Sequence, residues 1–299
     1  MKKIITSSLL CLAFASQAAD IAPLALSQTV DLQKQYWITI GQDAVADLSR
    51  VGAKEFLLPS AVAAPNSKAV SIAQITEGQL SSLSRMMHEN HKRCGGYVVH
   101  DSLQSALAAQ QTTVVPSTFT NNALNEQAAV NALLPNVDKQ NILDTITYLS
   151  TTFVNRFYIT AAGVAASNGL ANMWGNMITD VPYASVSQFT HSQWNQKSVV
   201  LSITGSERPD EWVVIGGHLD STVGFTTGEN SYAPGADDDA SGIATLTEVM
   251  RVFLQNGQPK RSIKFIGYAA EEVGLRGSKE IAETDAANGV NIVGVMQLA

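Results

Sequence analysis

Cysteine is nearly absent from the 299 residues: only Cys11 and Cys94 occur. Cys11 lies in a leader expected to be removed, so a disulfide scaffold is excluded and stability must come from a packed core. Basic residues are also in short supply, with 19 Lys plus Arg against 26 Asp plus Glu and a formal net charge of -7. A chain of this balance gives no general footing on phosphate backbones, and nucleic acid is not an expected partner. Nor is there an uninterrupted apolar run long enough to cross a bilayer. What is present, 45% hydrophobic and 15% charged residues, is a globular composition with room for about two domains. Acidity is uneven: residues 1–118 hold 9 basic and 8 acidic side chains, residues 119–299 hold 10 and 18.

The first residues read as an export signal. Lys2 and Lys3 form a charged start, Ile4 to Ala15 an apolar stretch, and Ser16-Gln17-Ala18 offers small residues for cleavage. Residues 1–19 are therefore expected to be a signal peptide, and the protein to be secreted to the outside or into a periplasm. From residue 20 to 118 the composition suggests a small α+β unit with a helix over Glu77 to Lys92, broken by Gly95-Gly96. Gln110 to Glu126 is polar and turn-rich, suited to a protease-accessible linker, and the domain boundary is placed there.

Beyond the linker, Asp138 is a plausible N-cap for a helix to about Phe153, and a second helix spans Ala162 to Met177. Four β-rich runs follow, Ser198 to Ile203, Trp212 to Ile215, Ile263 to Tyr268 and Val290 to Met296, with helical spacing over Ala240 to Leu254. This pattern predicts an α/β fold, a mostly parallel sheet flanked by helices, with ligands held beyond the carboxyl ends of strands.

The chemistry-bearing residues fall at those ends. Gly216-Gly217-His218-Leu219-Asp220-Ser221 delivers an imidazole with a carboxylate two residues on; alone, this is as well explained by a structural histidine. Pro234-Gly235-Ala236-Asp237-Asp238-Asp239-Ala240-Ser241-Gly242 opens a helix. One acid would suffice to cap it, and three adjacent like charges repel unless a cation offsets them. In Tyr268-Ala269-Ala270-Glu271-Glu272-Val273-Gly274-Leu275, neighbouring acids leaving a strand point in different directions, so one can face a metal and the other a water. Their co-occurrence predicts a metal site. His88, His91 and Cys94 recur at three-residue spacing on the earlier helix, where of two readings, a metal site and a solvated helix face, the solvated face is the expected one.

Together with Leu133 to Asp138, Asn155-Arg156-Phe157-Tyr158, Ser202 to Ser206, Pro209 to Trp212 and Pro259 to Ile263, these motifs resemble the secreted bacterial leucyl aminopeptidases with two co-catalytic zinc ions. The resemblance spans about Ala128 to Leu298. It implies that His218 binds one zinc, Asp238 bridges both, Glu272 binds the other, Glu271 is the general base and Asp220 orients His218. It also implies that residues 20–118 are a propeptide that aids folding and restrains activity until cleaved, and that residues 119–299 are the N-terminal part of the catalytic domain. Members of that family continue beyond the strand matching Val290 to Leu298, with a further Asp ligand and a second His. The implied zinc site is incomplete within these 299 residues, and a truncated, inactive chain is one expectation. The expected partners are peptide substrates and the chain's own propeptide, with no membrane and no second subunit. Two other readings stay open, a glutaminyl cyclase-like zinc acyltransferase and an inert secreted fragment.

Overall fold

The computed structural model describes residues 28–56, 70–111, 126–224 and 227–298. The expected signal peptide and most of the expected linker lie outside the described residues.

Four strands, β1 (Gln35–Gly41), β2 (Lys54–Phe56), β3 (Val70–Thr76) and β4 (Tyr97–His100), form an antiparallel sheet in the order β2-β3-β1-β4. Helices α1 (Val45–Arg50), α2 (Glu77–His91) and α3 (Leu103–Gln111) accompany it, the expected α+β unit. Thr76 and Gln79 close a capping box at the start of α2, satisfying two backbone N–H groups that the first turn leaves free. The helix stops at Lys92, which adopts the left-handed conformation common at helix ends.

The second unit contains α4 (Gln127–Leu133), α5 (Lys139–Thr152) and α6 (Ala161–Met177), then β5 (Ala184–Phe189), β6 (Ser198–Ile203), β7 (Arg208–His218), α7 (Ala240–Leu254), β8 (Arg261–Tyr268), α8 (Arg276–Ala287) and β9 (Asn291–Gln297). Asp138 caps α5 by accepting the N–H of Gln140 at 2.8 Å, as its place in the sequence suggested. The sheet order is β5-β6-β8-β7-β9. β9, β7 and β8 run parallel, whereas β6 pairs antiparallel with β8 and with β5. The parallel expectation thus holds for the half of the sheet that carries the acidic motifs, and the other half is antiparallel. Trp174 of α6 is fully buried beneath the sheet beside Leu170, Leu201, Ile243, Leu246 and Phe265, its Nε1 donating to Thr247 Oγ1 at 2.9 Å. Burying side chains of this size stabilises the fold by about 1.5–3 kcal/mol each.

The two units share a core. Tyr36, Ile38, Leu80, Leu83, Met87 and Tyr97 pack with Phe157, Tyr158, Trp194, Ala270 and Val273. At its centre the buried Arg276 guanidinium pairs with Glu77 at 3.2 Å and lies 4.8–5.6 Å from the rings of Trp194, Tyr36 and Tyr158. Ser84 of α2 donates to the backbone carbonyl of Glu272 at 2.6 Å, tying the first unit to the edge of the acidic site. No helix among the described residues is long and apolar enough to cross a membrane.

Candidate metal centre

β7 and β8 are parallel neighbours in register, with His218 opposite Tyr268, so the chain leaves both strands at the same sheet edge. That register brings motifs more than fifty residues apart into one place. Leu219 N–H bonds to the carbonyl of Tyr268 at 2.6 Å and fixes the two exits against each other. Ala270 then adopts a left-handed conformation (φ 56°) and turns Glu271 and Glu272 back toward His218. Such a backbone in a non-glycine residue persists only where its surroundings hold it.

Each acid of the 237–239 triplet has a separate task. Asp239 is the N-cap of α7, accepting Gly242 N–H at 2.8 Å, while its other oxygen accepts His218 N–H at 2.9 Å. A side chain at position 242 would collide with that carboxylate, so glycine is required there. Asp238 points Oδ1 at His218 Nε2, 2.8 Å away. Asp237 is exposed. The capping reading and the metal reading of the sequence are both satisfied, by different residues.

His218 is fully buried. Its Nδ1 lies 3.1 Å from the backbone carbonyl of Asp220 and 3.7 Å from the Asp220 carboxylate. The ring is therefore oriented by the carbonyl of Asp220 rather than mainly by its side chain. The carboxylate accepts the backbone N–H groups of Glu271 at 2.9 Å and Glu272 at 3.1 Å, and so shapes the Glu-Glu turn. With Nδ1 turned to a carbonyl, Nε2 is the nitrogen available to a ligand.

The sequence-predicted ligands do come together. His218, Asp238 and Glu272 each offer an atom, and all three atoms lie within 4.8 Å of one another. Glu271 Oε2 is 3.9 Å from His218 Nε2. Neither Glu271 Oε2 nor Glu272 Oε2 has a hydrogen-bond partner among the described residues, although both are buried. Five carboxylates, of Asp220, Asp238, Asp239, Glu271 and Glu272, surround one imidazole, with Arg156 as the buried permanent cation. Unpaired buried carboxylates are expensive, and a multivalent cation is what such a donor set lacks.

The titration behaviour follows. Burial pushes Glu271 up to about 7, with Asp220, Asp238 and Asp239 adding repulsion against the opposing pull of His218. Burial likewise holds Glu272 well above the usual carboxylate range, and it lifts Asp239 to about 6. For His218 burial acts downward, but Glu271, Asp220, Asp238 and Cys94 prevail and raise it. Glu272, Asp238 and His218 fit a divalent ion of the zinc type, for which mixed N/O ligation by three protein groups is common.

Three contributors were missed or read otherwise. Arg156 is fully buried and donates to the carbonyls of Leu219 (2.8 Å), Gly235 (2.9 Å) and Pro234, pinning the His218 and Asp238 loops to each other. Its only sequence signal was membership in the Asn155–Tyr158 motif. His88 and Cys94 do not line a solvated helix face: His88 Nδ1 is 3.3 Å from Asp238 Oδ2, and one ligand atom each of His88, Cys94 and Asp238 lies within 4.8 Å of the others. His91 turns away to Asp47, at 2.6 Å.

The chain is similar to known proteins in sequence and in fold. Residues 198–298 match the model of Peptidase family M28. The chain is 27% identical over 221 residues to a probable aminopeptidase of Saccharomyces cerevisiae, covering 70% of this chain and 59% of that one. It is 36% identical over 167 residues to leucine aminopeptidase 1 of Paracoccidioides brasiliensis, covering 53% and 42%. It thus spans about half the length of the curated relatives it matches, and these are fungal. Among solved structures, LapB from Legionella pneumophila superposes with a TM-score of 0.67 at 25% identity, over 89% of this chain and 70% of that one. The LapA aminopeptidase of the same organism gives 0.67 at 24% identity and supports the fold. The stretch from β6 to β9, which carries His218, Asp238, Glu271 and Glu272, therefore has the pattern of Peptidase family M28 on an aminopeptidase-like fold.

Proposed function

We propose that this chain is the precursor of a secreted zinc aminopeptidase that removes N-terminal residues, leucine or other hydrophobic ones, from peptides. The observation that carries the reading is the group of buried His218 and Glu272 with half-buried Asp238, where Glu272 Oε2 and neighbouring Glu271 Oε2 have no hydrogen-bond partner among the described residues. His218 Nε2, Asp238 and Glu272 would hold zinc. Bound zinc would supply Lewis-acid polarisation of the scissile carbonyl and a water acidified to near neutrality. Glu271, held by its backbone N–H on Asp220 and raised toward neutrality by burial, is suited to take up a proton at Oε2. It would return the proton to the leaving amine. Asp220 and Arg156 act on the site by fixing the loops.

In this proposal residues 1–19 direct export, residues 20–118 are an intramolecular propeptide, and the mature enzyme works as a monomer without membrane or nucleic-acid partners. The test is incubation of the zinc-loaded chain, before and after cleavage within 112–125, with a leucyl anilide and with an N-terminal glutaminyl peptide. Release of the anilide, abolished by Glu271→Gln with zinc content unchanged, supports the assignment. Cyclisation of the glutaminyl peptide would instead identify an acyltransferase, and absence of bound metal would leave an inert protein.

A further inference from the structure

The N-terminal unit does more than cover the acidic site. It reaches into it with donor atoms. His88 at the end of α2 and Cys94 in the following turn meet Asp238, and one ligand atom from each lies within 4.8 Å of the others. Asp238 is thus common to two ligand groups, directing Oδ1 to His218 at 2.8 Å and Oδ2 to His88 at 3.3 Å. His88 Nε2 is a buried atom with no hydrogen-bond partner, and the fully buried Glu272 Oε2 is likewise unpartnered in the adjoining group.

The turn that presents Cys94 is built for close approach. Gly95 is left-handed (φ 65°), and a Cβ there would come within 3.0 Å of Glu271 Oε1. Only glycine lets the backbone rest on the catalytic carboxylate at that angle. Imidazole, thiolate and carboxylate are together a donor set of the zinc type, and thiolate adds preference for softer divalent ions. Cys94 is the free thiol among the described residues.

We propose that His88, Cys94 and Asp238 form a second divalent-metal position in the uncleaved chain, so that the N-terminal unit latches the active site by ligating metal rather than by packing alone. This rests on the metal-centre reading above. On binding, the Cys94 S–H bond is lost, an S–metal bond forms and the proton goes to solvent, with no change of oxidation state. Removing the unit would withdraw both donors at once and open coordination positions beside Asp238 to water or substrate.

Cobalt(II) reports on the latch without requiring activity. Titrating the purified full chain with cobalt should give visible d–d absorption and a near-ultraviolet thiolate-to-cobalt charge-transfer band, with two ions bound. Cys94→Ser should abolish the charge-transfer band and keep the d–d bands of the His218 position. His88→Asn should weaken the second binding step at least about tenfold, the equivalent of about 1.4 kcal/mol. Metal should also slow reaction of Cys94 with a disulfide reagent at least about tenfold relative to the metal-free chain, by the same scale. Cobalt bound with d–d bands but without charge transfer, and with thiol reactivity unchanged, would overturn the latch while leaving the His218 centre intact. Failure to bind cobalt in a chain with native circular dichroism would overturn both.

Discussion

Glu77→Ala should destabilise the protein by about 3–5 kcal/mol, because it strands the Arg276 charge in the core shared by the two units. Glu77 Oε1 and Oε2 both accept from Arg276 Nη1 at 3.2 Å, and Tyr158 donates its hydroxyl to the same carboxylate. Arg276 is 6% exposed and Glu77 7%. At 3.2 Å and an effective dielectric of about 20, the Coulomb attraction is about 5 kcal/mol, the scale of the loss expected when one partner of a buried pair is removed. The rings of Tyr36, Tyr158 and Trp194 around the guanidinium retain part of its stabilisation, which argues for the lower half of that range. Urea denaturation of the wild type, Glu77→Ala, Arg276→Met and the double variant measures it. The double-mutant cycle should return a coupling of at least about 2 kcal/mol, with the double variant more stable than the sum of the singles. A loss below about 1 kcal/mol for Glu77→Ala, or strict additivity, would refute the argument that this pair pins the units together.

The acidic centre should be stabilised by metal: zinc at about 100 times its dissociation constant should raise unfolding free energy by about 2.7 kcal/mol, and Glu272→Gln should remove most of that gain in a thermal melt. Asp220→Ala leaves the N–H groups of Glu271 and Glu272 unpaired and should cost about 2–5 kcal/mol while lowering zinc content, whereas Asp220→Asn should keep part of both. His100 is buried against Thr39 and Ser105, and burial lowers it from 6.5 to about 4, with Lys279 acting in the same direction. Between those values the unfolded chain binds a proton that the folded one does not, so stability should fall by about 1.4 kcal/mol per unit as pH drops from 6.5 toward 4. His100→Gln should flatten that part of the urea-denaturation profile; an unchanged slope would remove His100 as the cause.

How much was legible can be followed along particular elements. The α7 boundaries, Ala240 to Leu254, follow from Ile243, Leu246, Met250 and Phe253 recurring on one face and from the aspartates before them. β6 was visible as a continuous apolar run. β5 and α8 were not anticipated: Ala184–Phe189 alternates weakly, and the Arg276–Ala287 helix is rich in polar residues with few apolar positions. The antiparallel pairing of β6 with β8 could not be read either, because an apolar run records burial of a strand and not its direction. His218, Glu271 and Glu272 were identifiable at the ends of β-runs, and Asp238 in a glycine-framed acidic turn that opens a helix, which are local signals. Arg156, His88 and Cys94 gave no such signal, since the partners of the Arg156 guanidinium lie 63 or more residues away and those of the other two lie across the unit boundary.

The sequence alone pointed to His218, Asp238 and Glu272 as candidate metal ligands, to where helices α5 and α7 begin, and to a packed core in place of disulfides. These are properties of short-range spacing, capping and composition, which do not depend on how distant segments meet. Tertiary structure decided that Asp239 caps while Asp238 faces the imidazole, that the Asp220 carboxylate holds the Glu-Glu turn, and that α2 lays His88 and Cys94 against Asp238. Each of those outcomes depends on the register of β7 against β8 and on the core joining the two units. Pairing register is set by packing over the whole sheet, and no local stretch of residues encodes it.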